Sequence, residues 1–382
     1  PRFERVDAAA GIENVHTNTE SPPFILFGRD EGNPIRQASG VAAGDFNGDG
    51  CEDLVLSGSP DFKRYQNDCE GAFVDVPATQ GLPTPYPSAA SGVVVMDYDN
   101  DGWLDLFVTD FDDLVGDVAA DDLGHRFSAE RPGPYLNLGV RFKEVGARMG
   151  LDPPWLPVGA NFGDLDNDGW LDIDLANGDP NFQTLVPNIM LRNDRARGFQ
   201  DVSFSGGFGH LQKGHGVAFF DYDGDGDLDL YVANLGPNKL FRNDGGGRFT
   251  DVTDEAGVAG QGWSAGCIFT DYDLDGDYDL FVVNNLNWST GIEGVWRTTR
   301  GELDFCAPTN YDAPSADILF RNDGNGRFTD VSEAVGLAAT TGSGWGVVAA
   351  DFNGDRYPDF YVTNDGMPNG LWRSDGKGKF TG

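Results

Sequence analysis

The stretch DYDGDGDLDL, residues 221–230, places five aspartates in ten positions. Like charges packed that closely repel one another unless a cation sits among them. Asp221, Asp223 and Asp225 alternate, so a tightly turned backbone can aim all three inward, and Gly226 permits a positive φ. The backbone carbonyl of Asp227 and the carboxylate of Asp229 complete an all-oxygen cage suited to a hard cation such as Ca²⁺. The opening D-x-D-x-D-G is shared with EF-hands, but here the last carboxylate stands at position 9 of the loop. An EF-hand keeps its bidentate glutamate for position 12 and then enters a helix. This chain continues instead through Leu228, Leu230, Tyr231 and Val232, a run of strand formers without helical period. The reading is a calcium loop joining two strands.

The same pattern occurs six times: DFNGDGCED (45–53), DYDNDGWLD (97–105), DLDNDGWLD (164–172), DYDGDGDLD (221–229), DYDLDGDYD (271–279) and DFNGDRYPD (351–359). A small apolar run precedes each loop, as in SGVVVM (91–96) and HGVAFF (215–220), and a β-rich run such as DLFVTD or DLYVAN comes after it. Then come a third strand and a hairpin with Asn/Asp-Gly signals, clearest in KLFRNDGGGRFTDV (239–252) and ILFRNDGNGRFTDV (318–331). Each unit reads as four antiparallel strands, a to d, with the calcium loop in the a–b turn. Units of about 50 residues built this way predict an all-β fold, a β-propeller of four-stranded antiparallel blades.

The expected blades are 36–77, 89–146, 157–204, 214–253, 262–332 and 343–382, in a single domain over residues 1–382. RFERVD (2–7) matches the fourth-strand phrase RFTDVT (248–253), and the simplest reading has it complete the last blade and close the ring. Loop counting gives six blades. A seventh, formed by inserted segments or lying outside this chain, is the alternative.

Composition agrees. Gly (54) and Pro (21) with 12% aromatic residues describe a turn-rich β protein with enough apolar side chains for a core. The net charge of −36 and pI near 4.1 argue against nucleic acid and anionic membrane surfaces, both of which need clustered Lys and Arg. No apolar run is long enough for a transmembrane helix, so no membrane insertion is expected. A chain opening at Pro1 without a signal peptide is read as a processed or trimmed product.

These loops and the FRNDGxGRFTDV segments resemble FG-GAP/VCBS repeats, across essentially the whole chain. The phrase GWGVVAADFNGDRYPDFYVTNDGMPNGLW (344–372) is similar to the cartilage-acidic-protein (ASPIC/UnbV) branch, although that branch's C-terminal segment is not seen here. The resemblance implies secreted, calcium-loaded propellers, often of seven blades, that serve mostly adhesion or recognition. Some related propellers belong to carbohydrate-active enzymes.

Copy by copy, the expected ligands are Asp97, Asp99, Asp101, Trp103 and Asp105 in loop two, and Asp164, Asp166, Asp168, Trp170 and Asp172 in loop three. Loop four offers Asp221, Asp223, Asp225, Asp227 and Asp229, and loop five Asp271, Asp273, Asp275, Asp277 and Asp279. Position 7 contributes through its backbone carbonyl, whatever its side chain. Loop one keeps Asp45, Asp49 and Asp53 with Asn47 and Cys51; loop six keeps Asp351, Asp355 and Asp359 with Asn353 and Tyr357. Loop six also carries Arg356 where the others have glycine, which disfavours positive φ and adds positive charge, so it ranks weakest. Five to six Ca²⁺ ions are expected. At ten times its Kd each ion would stabilise by about 1.4 kcal/mol. Affinities of about 10⁻⁴–10⁻³ M, common for extracellular modules, point to a secreted, extracellular or periplasmic protein.

Four cysteines suit the same compartment, and strand geometry predicts Cys51–Cys69 and Cys267–Cys306. From the first loop Asp to the third-strand Asn, units one and four take 22 residues, whereas units two, three and five take 40, 29 and 51. The extra residues fall in b–c connections (109–134, 178–187 and 285–317), on the face opposite the calcium loops. Trp155, His210, His215, Trp263 and Trp345 in d–a connectors, with Trp288, Trp296, Arg297, Arg300 and Tyr311 in the unit-five insertion, dress that face for a glycan or protein ligand. Two functions compete: a recognition or adhesion module, and a carbohydrate-active, lyase-like enzyme using His210 or His215 as base. The absence of any nucleophile elbow, zinc-binding or phosphate-loop motif favours the first.

Overall fold

A computed structural model describes residues 40–56, 63–76, 82, 89–111, 133–139, 141–151, 157–178, 187–289, 291–292, 311–382 and the short strand pairs 29–30 with 33–34 and 296–297 with 303–304. The chain is all-β, with small antiparallel sheets in a propeller-like arrangement. Unit one consists of Val41–Gly44, Asp53–Leu56, Lys63–Asn67 and Phe73–Val76. Unit four consists of Lys213–Phe220, Asp229–Leu235, Lys239–Asn243 and Phe249–Asp251. Units two, three and six repeat this order as separate four-stranded sheets, and units four and five are joined into one eight-stranded sheet through the pair Leu235–Trp263. The closing strand expected at 2–7 lies outside the described residues.

Every second strand begins at the position-9 aspartate: Asp53, Asp105, Asp172, Asp229, Asp279 and Asp359. The acidic loops are therefore the a–b turns, as the sequence predicts. Because strands alternate direction, the b–c connections leave at the opposite end of each sheet.

The first strands are small for a reason. Neighbouring first strands pack side by side, and a Cβ on Gly216 would lie 2.7 Å from Gly266 Cα in the next unit. A side chain there would push the two strands apart. The core sits between units rather than within them, since each sheet has two apolar faces. Tyr98, Phe107 and Met96 of unit two pack with Ile173, Leu175 and Leu191 of unit three. Tyr231 and Leu240 of unit four meet Leu280, Val282 and Phe320 of unit five.

Cys51 and Cys69 form the predicted disulfide, with Cα atoms 5.6 Å apart. The second predicted pairing is corrected: Cys267 is a free thiol, and Cys306 lies outside the described residues. Cys267 sits in mid-strand, opposite Val282, and its Sγ faces the Tyr231 carbonyl of unit four. The insertion carrying Cys306 leaves from the far end of that sheet, beyond Leu286.

Candidate functional site: the acidic loops

Each loop is organised by its first carboxylate. Asp221 Oδ1 accepts from the Gly224 and Asp225 amides and Oδ2 from Gly226, and Asp97, Asp164, Asp271 and Asp351 hold the matching position-5 and position-6 amides. The position-5 aspartates accept from the position-7 amide, as Asp101 does from Trp103 and Asp275 from Asp277. These bonds wrap the backbone around a small space into which the remaining carboxylates point.

In loops two to five that space gathers three carboxylates with oxygens all within 4.8 Å of one another: Asp97, Asp99 and Asp101; Asp164, Asp166 and Asp172; Asp221, Asp223 and Asp225; Asp271, Asp273 and Asp279. Oδ1 of Asp99, of Asp166 and of Asp273 is buried and has no hydrogen-bond donor. Burial, and then the neighbouring aspartates, raise the carboxyl pKa of Asp99, Asp166, Asp223 and Asp273. Burial likewise pushes Asp105 up to about 8 and Asp172, Asp229 and Asp279 up to about 7, against the hydrogen bonds they accept. An oxygen shut away from water, without a donor and beside two more carboxylates, fits a divalent cation with oxygen ligands.

Loops one and six differ. In loop one the Asn47 amide donates to Asp49 Oδ2 at 2.8 Å, and Arg64 lies 3.6 Å from Asp53 Oδ2. Asp53 Oδ2 still has no hydrogen-bond donor, and loop three has comparable cations, with Arg192 4.0 Å from Asp166 and Arg195 3.5 Å from Asp168. In loop six Arg356 adopts φ 82°, and Asn353 donates to Asp359 Oδ2 at 3.3 Å. Neither loop assembles three carboxylates among the described residues.

In the sequence the third-strand asparagine serves only as a marker for counting. The structure gives it a role. Asn243 donates its backbone amide to Asp229 Oδ1 at 2.8 Å. Its Nδ2 donates both to the Leu228 carbonyl of its own loop, at 3.1 Å, and to the Leu165 carbonyl of the preceding loop, at 2.8 Å. Asn137 reaches back to Phe46, Asn193 to Tyr98 and Asn322 to Tyr222 in the same way. The position-2 residue that receives this bond in turn donates its amide to its own position-9 carboxylate: Tyr98 to Asp105, Leu165 to Asp172 and Tyr222 to Asp229. A continuous hydrogen-bonded path thus runs from loop to loop. Its signal is the recurrence of Asn two residues after the apolar pair in LFRND, but the partner is a unit away and has no sequence signature.

On the opposite face, both candidate histidines are held by aromatic packing and hydrogen bonds. His210 packs against Phe208 and Phe241, its Nδ1 3.1 Å from the Phe208 carbonyl and its Nε2 2.8 Å from the Asn188 amide. His215 is buried against Trp263 and Trp345 with Nδ1 3.2 Å from the Lys213 carbonyl, and burial pushes its pKa down to about 3. A ring held neutral and out of solvent is poorly placed to collect a proton. Trp263 and Trp345 remain half-buried beside it, 6.4 Å apart. Trp155 and Arg300, and the side chains of Trp296 and Arg297, lie outside the described residues.

The model of the FG-GAP-like repeat matches residues 45–108, 221–282 and 301–362. FG-GAP-like repeats are present in three places. Loops one, two, four, five and six of the acidic series fall inside those FG-GAP-like segments, and loop three lies between them. No curated protein matches the chain in sequence. Among solved structures, the chain is similar to an Agrocybe aegerita lectin described as recognising non-reducing terminal N-acetylglucosamine, at 17% identity and TM-score 0.49, covering 90% of this chain and 79% of the lectin. It is also similar to a rhamnogalacturonan lyase of Bacillus licheniformis, at 15% identity and TM-score 0.44, covering 90% of this chain and 57% of the lyase.

Proposed function

We propose that this protein is a calcium-binding recognition module, a six-bladed propeller whose acidic loops are rigidified by Ca²⁺ and whose opposite face takes a glycan or protein ligand. One observation carries the calcium reading: the donorless, buried carboxylate oxygens of Asp99, Asp166 and Asp273, each inside a cluster of three. Loops two to five are the principal sites. Loops one and six, which assemble no cluster of three carboxylates among the described residues, are weaker. Calcium bound there supplies positive charge that lets buried aspartates stay ionised; the chain's own amides set the shape that receives it. Four sites held at ten times their Kd would stabilise by about 6 kcal/mol, comparable with a domain's whole net stability of ~5–15 kcal/mol. Calcium in the concentration range of extracellular modules and the Cys51–Cys69 disulfide together support a location outside the cytosol. Among the described residues no helix is long and apolar enough to cross a membrane. The phrasing of residues 344–372 supports kinship with the cartilage-acidic-protein branch.

The recognition reading rests on where variation is placed. Long connections leave the sheets at the end opposite the acidic loops, where half-buried Trp263 and Trp345 stand on first strands, while the loop end repeats one geometry. The enzymatic alternative loses its proposed bases, because His210 and His215 are locked in packing. Isothermal titration with Ca²⁺, followed by a glycan array in calcium and in EGTA, tests the proposal. Absence of calcium binding overturns the first half; a calcium-loaded protein that retains no glycan or protein ligand overturns the second.

A further inference from the structure

We propose that Asn137, Asn193, Asn243 and Asn322 are positioning residues that couple the cation affinities of neighbouring loops, so that loops two to five bind as a cooperative run, loop one is tied to it only through the Phe46 carbonyl, and loop six stands apart. The inference rests on the calcium reading above and adds that the sites are not independent. All four asparagines are buried, with at most 4% exposure, and each shares one side-chain amide between two carbonyls from different units. Their backbone amides end on Asp105, Asp172, Asp229 and Asp279 respectively. A cation that draws Asp229 into place therefore sets the position of Asn243, and Asn243 holds the peptide after Leu165, whose amide binds Asp172 of loop three. Hydrogen bonds in such a chain polarise one another, which adds to the mechanical link.

Two direct contacts between loops reinforce the path. Asn100 of loop two donates to the Gly169 carbonyl of loop three at 2.8 Å, and Asn167 of loop three donates to Asp227 of loop four. Both donors stand at loop position 4 with positive φ, 55° and 56°, which aims the side chain out of its own loop. The path stops at loop five. In unit six the matching residue is Ser374, whose backbone amide still binds Asp359 but whose short side chain instead accepts from Gly376 within its own hairpin.

Coupling is reciprocal, and it is measured by a thermodynamic cycle rather than by proximity. Terbium(III) is the probe, with luminescence sensitised by Trp170 of loop three in a Trp103→Phe background. Disabling loop four by Asp223→Ala with Asp225→Ala should lower the loop-three terbium affinity about fivefold, the lower end of ordinary coupling. In the Asn243→Ser, Asn167→Gly variant the same disabling should change it less than about twofold. An unchanged loop-three affinity in the first comparison, or an equal loss in both, overturns the coupling while leaving calcium binding intact. A protein that binds no terbium in any loop overturns the calcium reading itself. Should Asn243→Ser fail to fold, Ser374→Asn gives the reverse test: it should raise the melting temperature in saturating calcium and leave it unchanged in EGTA. A rise of equal size in both buffers would mark an ordinary hydrogen bond and overturn the proposal.

Discussion

The backbone amide of Asn284 donates to Asp317 Oδ1 at 3.0 Å across 33 residues of chain. Asn284 Nδ2 also donates to the Ala316 carbonyl at 2.8 Å, so the long b–c insertion of unit five starts and ends at a fixed neck. Unit four closes its short connection with the same bonds, from Asn234 to Asn238 Oδ1 and to the Pro237 carbonyl. Units three and six repeat them with Asn177–Asn188 and Asn364–Asn369.

A common neck means that the insertion is separable from the sheet. Replacing residues 287–311 by a short glycine-containing turn should leave the calcium-dependent melt within a few degrees of the parent and abolish ligand capture. Cys267 needs no accompanying change, because it is already a free thiol. Capture that survives the replacement would move the ligand site away from this insertion.

Chelation should cost many degrees of melting temperature, since buried aspartates with raised pKa lose the charge that offsets them. Asp273→Ala should cost more calcium-dependent stability than Asn353→Ala, because Asp273 supplies a donorless buried oxygen and Asn353 already donates to Asp359. Scanning calorimetry of both variants with calcium and with EGTA checks this. Superimposable parent curves in the two buffers would remove calcium from the account of stability.

Arg356 carries a backbone cost that its glycine counterparts escape. A non-glycine residue at φ 82° is strained by about 1–2 kcal/mol, and glycine offsets ~0.5–1 kcal/mol of that through the unfolded chain. Arg356→Gly should therefore stabilise by roughly 0.5–1 kcal/mol even in EGTA and somewhat more in calcium, where a positive charge has left the loop. A lower melting temperature, or a lower urea midpoint, would show that the arginine contributes a contact worth more than the strain.

Asp174 is fully buried, with neither carboxylate oxygen paired, at a position that carries Val55, Phe107, Tyr231 and Phe281 in other units. Its register neighbour Asn161 is already engaged with the Val217 carbonyl and the Phe162 amide. Burial drives its pKa well above the usual carboxylate range. The folded state thus keeps a proton that the unfolded state releases near pH 4, and stability falls as pH rises beyond that. Asp174→Val should stabilise by about 1–3 kcal/mol, the cost of an unpaired buried polar group, with a larger gain near pH 7 than near pH 4. Denaturant titrations at the two pH values measure it, and an equal or negative effect would point to a partner for Asp174.

Much of this is legible in residues 221–230 and their five relatives. A period-two strand after an acidic turn, repeated at blade-sized intervals, determines local structure through side-chain alternation, and that is enough for the strand order, the a–b placement of the loops and Cys51–Cys69. Other features depend on which units become neighbours. The reach of Asn243 to Leu165 spans 78 positions, and the ion pair of loop one needs Arg64 of the third strand beneath Asp53. The pairing expected for Cys267 fails although its strand is right, because the direction of its side chain, toward Tyr231 of unit four, is not readable from the strand alone. Periodicity is a property of one chain segment. Contact between units is a property of how closely glycine-bearing first strands let the sheets approach, and only the tertiary structure sets that distance.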